Sequence, residues 1–355
     1  MLKCGILAGT GMIGQKLINL LNNHPWFEVS FITGSDQSIG KTYAEAVENR
    51  WHMTNPIPKN VRNIRIESTN AINKASDMCD FVFSALDTNN GNIYETKYAE
   101  HDIPVISNSS AHRWDKDVPM LIPEINADHC NIIPSQRQKR GWKKGFIVVK
   151  PNCSVQSYLT PLFALHERFQ VKKVFITTMQ AVSGAGYPGV SSVDIIDNVI
   201  PFISGEEEKS ELEPLKIFGT IQEDEIVNNN QMVFSAHCNR VNVQDGHLAT
   251  VNVEFNKKPA FDDIIDLWND FTAEPQKLKL PSAPEKPIIY KIENNRPQPR
   301  LDRDEDKGMA CITGRLRKCS IFDWKFVALS HNTVRGAAGG GILNAELLYK
   351  KNYLS

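Results

Sequence analysis

At 355 residues the chain is long enough for two hydrophobic cores, and 40 basic against 41 acidic side chains leave a formal charge of −1, which gives no electrostatic footprint for nucleic acid or an anionic membrane. Its 7 cysteines are scattered, odd in number and free of CxxC or His/Cys ligand spacing, which speaks against a disulfide framework or structural zinc and fits a reducing compartment. No apolar run approaches the roughly 20 residues of a membrane span, and Lys3 leads at once into a glycine-punctuated turn rather than a signal-peptide core, so a cytoplasmic protein with a small-molecule partner is expected.

Residues 3–8 make the first expected strand. It runs into Gly9-Thr10-Gly11-Met12-Ile13-Gly14, after which Ile13, Leu17, Leu20 and Leu21 recur at helical spacing. Strand, GxGxxG and helix together form a dinucleotide fingerprint, because the glycines permit a tight turn and the helix N-terminus receives a pyrophosphate. The competing reading is a glycine turn that only packs helix on strand. A second strand over 28–33 supports the fingerprint, and the loop at 34–38 is then where an adenosine ribose lies. There Asp36 suits the 2′-OH of NAD, whereas Ser35, Ser38 and Lys41 suit the 2′-phosphate of NADP, so these residues leave the choice open.

Further strands are expected over 80–85, 104–107 and 146–150, with a helical stretch over 92–101. That alternation predicts an α/β fold with a doubly wound parallel sheet, an N-terminal Rossmann-type dinucleotide-binding domain. Ser84, Asn108, Ser110 and Arg113 follow the C-terminal strand ends, where the ligand crevice of such a sheet opens. Turn chemistry explains residues 107–110 equally well. Arg113 separates the two readings, since a guanidinium suits phosphate or carboxylate. The basic stretch over 128–144 reads as solvated surface.

The run Lys150-Pro151-Asn152-Cys153-Ser154 is the centre of the functional reading. Pro151 stops a strand, and apolar residues from Val155 onward recur at helical spacing, which puts Cys153 at or just before a helix N-terminus. Free amides and the helix dipole there favour thiolate, the nucleophilic form. A catalytic nucleophile and a small buried residue are the two readings of Cys153.

A strand over 173–179 leads to Gln180 and the glycine-rich stretch 181–189, backbone suited to approach a ligand. Residues 195–203 are strongly apolar, and the charge cluster at 206–209 reads as a solvated helix start. Segments 234–243 and 247–255 are expected as a hairpin closed at Asp245-Gly246. Arg240 and His247 then share a sheet face about 13 Å apart, too far for one small dicarboxylate unless a bulge or wider loop intervenes. His247 by itself reads more readily as an ordinary histidine. An amphipathic helix over 261–271, a proline-rich extended excursion over 280–303, strands over 309–317 and 324–329, and a helix over 332–349 opened by several glycines complete the chain.

Eight motifs in order, GTGMIGQ at 9–15, SNSSAHR at 107–113, PNCSVQ at 151–156, QAVSGAGYPG at 180–189, DNVIPFISGEEEK at 197–209, CNRVNVQDGH at 238–247, RPQPRLDRD at 296–304 and NTVRGAAGGG at 332–341, resemble aspartate-semialdehyde dehydrogenases of the archaeal and fungal branch over nearly the full length. The resemblance implies reversible, NADP-dependent interconversion of aspartate semialdehyde plus phosphate with 4-aspartyl phosphate, in lysine, threonine, methionine and isoleucine biosynthesis. By it Cys153 is the nucleophile of a thiohemiacetal and then a thioester, His247 the acid/base group and Gln180 an active-site hydrogen-bonding residue. Arg240 would clamp the substrate carboxylate and Glu206 meet its amino group, while Asn108, Arg113, Asn152 and Lys209 hold phosphate, with Ser110 beside them. Gly9 to Gly14, Ser35, Ser38, Ser84, Gly184 and Asn332 would surround NADP, with NAD the second choice; Gln37 stands where an arginine is common in relatives.

The same resemblance implies two domains: 1–152 with 333–355 for NADP, and 153–332 as an α+β catalytic and dimerisation domain with a mixed or antiparallel sheet. It implies a homodimer or homotetramer and no metal. The rivals are malonyl-CoA reductase, the more distant N-acetylglutamyl-phosphate reductase, and a non-catalytic nucleotide-sensing Rossmann protein. Arg240, Glu206 and Lys209 favour an amino-acid semialdehyde over the first two, and an intact Cys153 with His247 speaks against the last.

Overall fold

The computed structural model describes residues 1–354. The first sheet contains β1 (Leu2–Leu7), β2 (Phe27–Gly34), β3 (Ile66–Ser68), β4 (Phe81–Ser84), β5 (Val105–Ser107) and β6 (Ile147–Val149). All pair parallel in the order β3-β2-β1-β4-β5-β6. The order reverses at β1, so a crevice opens beyond the C-terminal ends of β1 and β4. Every residue of β4 and β6 is buried, as continuous apolar runs covered on both faces must be. β3 escapes a sequence reading because it is three residues long and buries only Ile66 fully.

The C-terminal segment returns to this sheet. The expected single helix begins as a π-helical turn, Val334–Ala338, and becomes α-helical over Gly339–Lys350. Ile342, Leu343, Leu347 and Leu348 pack into one core with Ile6, Ile18, Phe81 and Val148. Arg335 is buried with this turn, its Nη1 donating to Glu124 at 2.6 Å and to the Met309 carbonyl at 3.0 Å. Such a charge is tolerable inside only because it is paired and hydrogen-bonded.

The second sheet is built from β7 (Val171–Gln180), β8 (Val199–Ile200), β11 (Val233–Val241), β12 (His247–Phe255), β13 (Ile288–Lys291), β14 (Cys311–Lys318) and β15 (Trp324–Ser330). A separate small hairpin joins β9 (Thr220–Gln222) to β10 (Glu225–Val227). The sheet is mixed, in the order β13-β14-β15-β12-β7-β11-β8. Helices Leu159–Phe169 and Phe261–Asp270 cover one face, with Trp268 buried among Leu162, Val253 and Phe326. β13 lies inside the proline-rich excursion, and its place at the sheet edge is where nearby prolines are tolerated.

The expected hairpin does not form. β7 lies between β11 and β12, parallel to the first and antiparallel to the second. Gly246 does turn the chain, at φ +101, but the loop over 242–246 crosses β7, roughly 10 Å from strand to second strand. Pairing of the long apolar β7 with both neighbours outweighs a local turn preference. As a result Arg240 pairs with Gln180, and Leu248 pairs with Met179. Arg240, Gln180 and His247 therefore end three adjacent strands side by side, and the 13 Å separation along a hairpin expected from the sequence does not arise. Among the described residues no helix is long and apolar enough to cross a membrane.

Candidate active site

The ends of the two sheets face each other across a cleft of about 570 Å³ whose walls include Met12, Asn108, Cys153, Gly184 and Asn332. Pro151 ends β6, and the chain then makes a single 3-10 turn over Val155–Ser157 before the α-helix starts at Leu159. The expected helix N-terminus at Cys153 is therefore displaced by six residues, and little helix dipole acts on the sulfur. Burial, reinforced by Glu206, pushes the Cys153 thiol up to about 11 against the opposing charges of Lys150, Arg113 and Arg240. That shift favours the thiol over the thiolate in the unliganded cleft, opposite in direction to the helix-terminus effect expected from the sequence. Gly336 sits directly behind it, and a Cβ there would lie 2.9 Å from Cys153 Cβ.

His247 is fully buried, with Nε2 3.3 Å from Cys153 Sγ. The Ala181 amide donates to Nδ1 at 3.1 Å. Nδ1 thus presents its lone pair, which assigns the ring proton to Nε2, facing the sulfur. Burial, together with Arg240, His331 and Lys150, pushes the pKa down to about 3. The expected imidazole titrating near neutrality is thus replaced by a neutral ring whose Nε2–H donates toward sulfur.

Gly184 explains how Arg240 fits beside this pair. A Cβ at Gly184 would come within 2.9 Å of Arg240 Nη1 and 3.1 Å of the His247 ring. Arg240 is held by donating from Nη1 to the Ala181 carbonyl at 2.7 Å. Gln180 is buried below them, its Nε2 donating to Thr178 Oγ1 at 3.3 Å.

The charge cluster at 206–209 is the expected helix start, with Glu208 solvent-exposed, but it is not solvated throughout. Helix Glu206–Ile217 begins against the nucleophile loop, and Glu206 is buried, accepting from Asn152 Nδ2 at 2.8 Å and Lys209 Nζ at 3.1 Å. Its Oε2 has no partner among the described residues. Glu213, two turns on along the same face, accepts from Arg113 Nη1 at 2.7 Å and from the Asn152 amide at 2.6 Å. Sequence reading passed over Glu213; its spacing of seven from Glu206 was the available signal. Among the described residues the buried side-chain amide of Asn108 and Arg113 Nε have no hydrogen-bond partner, and both residues line the cleft. Buried polar atoms left open this way call for a ligand.

Not every expected residue reaches the cleft. Ser110 Oγ lies 2.7 Å from Thr88 Oγ1. Ser84 is fully buried against Glu95, beneath the crevice floor.

At the other end, a Cβ on Gly9 or Gly14 would collide at 2.4 Å with Ile32 or the Ala8 carbonyl, whereas one on Gly11 would meet nothing closer than 3.5 Å. Gly9 and Gly14 bring strand and helix together, and Gly11, between Thr10 and Met12-Ile13, leaves the turn open. Gly11 offers no side-chain cap to helix Met12–Leu20, so its first amides are free for an anion. This edge fits a dinucleotide. Ser35 is exposed and Ser38 buried, and Arg50, a residue passed over in the sequence, donates from Nη2 to Ser38 Oγ at 3.4 Å. Asn332 links both loops of the second sheet, accepting from the Gly246 amide and donating to Ser183 Oγ, each at 2.8 Å. Among the described residues no cluster of His, Cys, Asp or Glu is suited to a metal.

Two family models match the chain: semialdehyde dehydrogenase, NAD binding domain, over residues 3–133, and semialdehyde dehydrogenase, dimerisation domain, over residues 162–335. The chain is 44% identical over 350 residues to an aspartate-semialdehyde dehydrogenase of Methanothermobacter thermautotrophicus, spanning 98% of this chain and 99% of that one. It is 39% identical over 356 residues to a malonyl CoA reductase (NADP) of Metallosphaera sedula, spanning 99% and 98%. A crystal structure of aspartate semialdehyde dehydrogenase with NADP from Candida albicans matches with a TM-score of 0.91 at 38% identity, covering 99% of each chain.

Proposed function

The chain belongs to the aspartate-semialdehyde dehydrogenase family, and from that premise we propose that Cys153 and His247 carry the NADP-dependent interconversion of aspartate semialdehyde plus phosphate with 4-aspartyl phosphate. This is a step of aspartate-pathway amino-acid biosynthesis. The observation that carries the assignment of residues is the 3.3 Å contact between Sγ and Nε2 on the floor of the cleft.

In the oxidative direction the Cys153 proton leaves to solvent through the cleft that the residue lines, the sulfur–carbon bond to the aldehyde forms, and the carbonyl π pair moves to oxygen. Nε2–H, already directed at the sulfur, is then one bond from that oxygen and donates to it. Arg240 clamps the substrate carboxylate, and the open Oε2 of Glu206 accepts from the substrate ammonium. The glycine turn over Gly9–Gly14 would hold NADP, which when bound would supply the hydride acceptor; loss of hydride from the Cys153 adduct re-forms the carbonyl as a thioester on the sulfur. Arg113, Asn108, Asn152 and Lys209 hold phosphate for attack on the thioester carbon, and the departing sulfur is received again by Nε2–H. Gln180, which ends β7 opposite Arg240 on β11, is proposed as an active-site hydrogen-bonding residue beside it.

Gly9 to Gly14, Ser35, Ser38, Gly184 and Asn332 hold the cofactor, with Arg50 supplying the cation that Gln37 does not. The NADP domain is proposed over 1–152 with 333–355, of which Ser355 lies outside the described residues, and the catalytic and dimerisation domain over 153–332; the packing of the C-terminal helix on the first sheet supports this division. A homodimer or homotetramer is proposed from the exposed apolar side chains Val199, Phe202 and Val233 along the β8–β11 edge. Seven unpaired cysteines support a cytoplasmic site.

The purified protein is expected to form NADPH from aspartate semialdehyde only when phosphate is present, and to prefer NADP over NAD less strongly after Arg50→Ala. Reduction of malonyl-CoA at a rate matching that of 4-aspartyl phosphate would overturn the assignment in favour of the coenzyme A rival.

A further inference from the structure

Lys150 directly precedes Pro151, and its amide donates to the Ser107 carbonyl at 2.9 Å, which places it at the C-terminal edge of the first sheet beside Asn108. Its side chain is only 3% exposed, yet it forms part of the cleft wall. A buried amine requires partners. Among the described residues one is present, the Pro151 carbonyl, to which Nζ donates at 2.5 Å. Two further donors on this wall, Asn108 Nδ2 and Arg113 Nε, have no partner among the described residues, while Arg113 Nη1 and Nη2 are engaged by Glu213 and the Asn108 carbonyl.

The glycine run of the C-terminal helix makes this packing possible. A Cβ on Gly340 would come within 3.2 Å of Lys150 Cδ, and one on Gly341 within 3.2 Å of Asn108 Nδ2. Absent side chains on two consecutive residues thus leave room for a lysine stem and a carboxamide side by side under the cleft.

The groups that face Lys150 are Arg113 from the 107–113 loop, Glu213 from helix Glu206–Ile217, Cys153 from its own loop, Arg335 from the C-terminal turn and His247 at the start of β12. Two of them are permanent cations. Glu213, the one carboxylate, is already engaged by Arg113 and the Asn152 amide. Burial, followed by the Arg113 charge, pushes the Lys150 amine down to about 7. The wall is therefore short of negative charge, and a multiply charged anion would supply it.

We propose that Lys150 is a phosphate-binding residue: with Arg113 and Asn108 it receives the oxygens of the phosphate substrate, and it gains a proton from solvent as the dianion enters. No bond to phosphorus forms or breaks in this step; one proton is taken up and an ammonium–phosphate pair results. The inference rests on the reading above that the enzyme uses inorganic phosphate.

The test varies inorganic phosphate at saturating semialdehyde and NADP, across neutral to alkaline pH, for wild type, Lys150→Met and Lys150→Arg. Lys150→Met is expected to raise the phosphate KM about tenfold, the worth of one charge-assisted hydrogen bond, with the other two KM values within about twofold of wild type. In wild type the phosphate KM climbs as pH rises above 7; Lys150→Arg, always charged, flattens that climb. Calorimetric titration of inorganic phosphate into wild type, in buffers of different ionisation enthalpy at about pH 8, is expected to show proton uptake that Lys150→Arg lacks.

An active Lys150→Met enzyme with an unchanged phosphate KM, an equal rise in all three KM values, or phosphate binding by wild type without proton uptake would each overturn the proposal. Should Lys150→Met fail to fold, the calorimetry on wild type and Lys150→Arg decides. A wild type that shows no phosphate-dependent NADPH formation removes the underlying reading as well.

Discussion

The backbone amide of Ala181 decides what His247 can do. By donating to Nδ1 it keeps the ring neutral and directs its remaining N–H at the sulfur. Taking a proton at Nε2 would require that amide to let go. A glutamine carboxamide can present an N–H in much the same direction, and alanine cannot. His247→Ala is expected to lose about 10²–10³ in kcat, the cost of one donor aimed at a developing oxyanion, with His247→Gln keeping roughly tenfold more. Steady-state kcat of the two variants checks this; equal, severe losses would mean that the ring works by accepting a proton. The depressed pKa also has a sign for stability. Between the unfolded value near 6.5 and the folded value of about 3, only the unfolded chain binds the proton, so stability present above that range is lost as pH falls through it. The melting temperature of His247→Gln should therefore fall less than that of wild type on acidification from neutral pH.

At the scale of elements, the C-terminal helix acts through what its first turns lack. A Cβ on Gly336 would lie 2.9 Å from the nucleophile's own Cβ, 3.2 Å from its Cα and 3.3 Å from its carbonyl oxygen, so Gly336→Ala must push Cys153 aside. Overpacking of this kind costs about 1–3 kcal/mol, and a displacement near 1 Å at a reacting atom can cost about 10² in rate. A folded Gly336→Ala enzyme with wild-type kcat would contradict the close packing. Several elements here were legible in advance. The strand, glycine turn and helix at the N-terminus and the strand before Pro151 follow from spacing and turn chemistry, whereas the meeting of Cys153 with His247 and Arg240 followed only from the family motifs, since the residue spacing alone put Arg240 and His247 too far apart. What escaped was long-range. Asp245-Gly246 announces a turn but not that β7 will be inserted between the strands it joins. An acidic run such as 206–208 looks solvated until the loop carrying Asn152 is known to lie against it. The short strands β3 and β13 offer too few residues for alternation to show.

For the molecule as a whole, the second sheet leaves Val199 and Val233 more than half exposed at one edge, with Phe202 nearby at 65%. β8 pairs with β11 only at Arg240 and Val241, which leaves the β11 edge from Val233 onward uncovered, and an uncovered strand edge with an exposed apolar residue is where the proposed partner copy would dock. Val233→Asp is expected to halve the molecular mass measured by light scattering after size exclusion, and an unchanged mass would place the interface elsewhere. The reaction as a whole depends on the sulfur of Cys153 carrying the acyl group between oxidation and phosphate attack. Mixing the enzyme with semialdehyde and NADP in the absence of phosphate, and following NADPH and intact protein mass together, tests this directly. The account predicts a burst of about one NADPH per active site with an acyl adduct on Cys153, discharged when phosphate is added and absent in Cys153→Ala. Sustained turnover by Cys153→Ala, or a burst with no adduct on that residue, would contradict it.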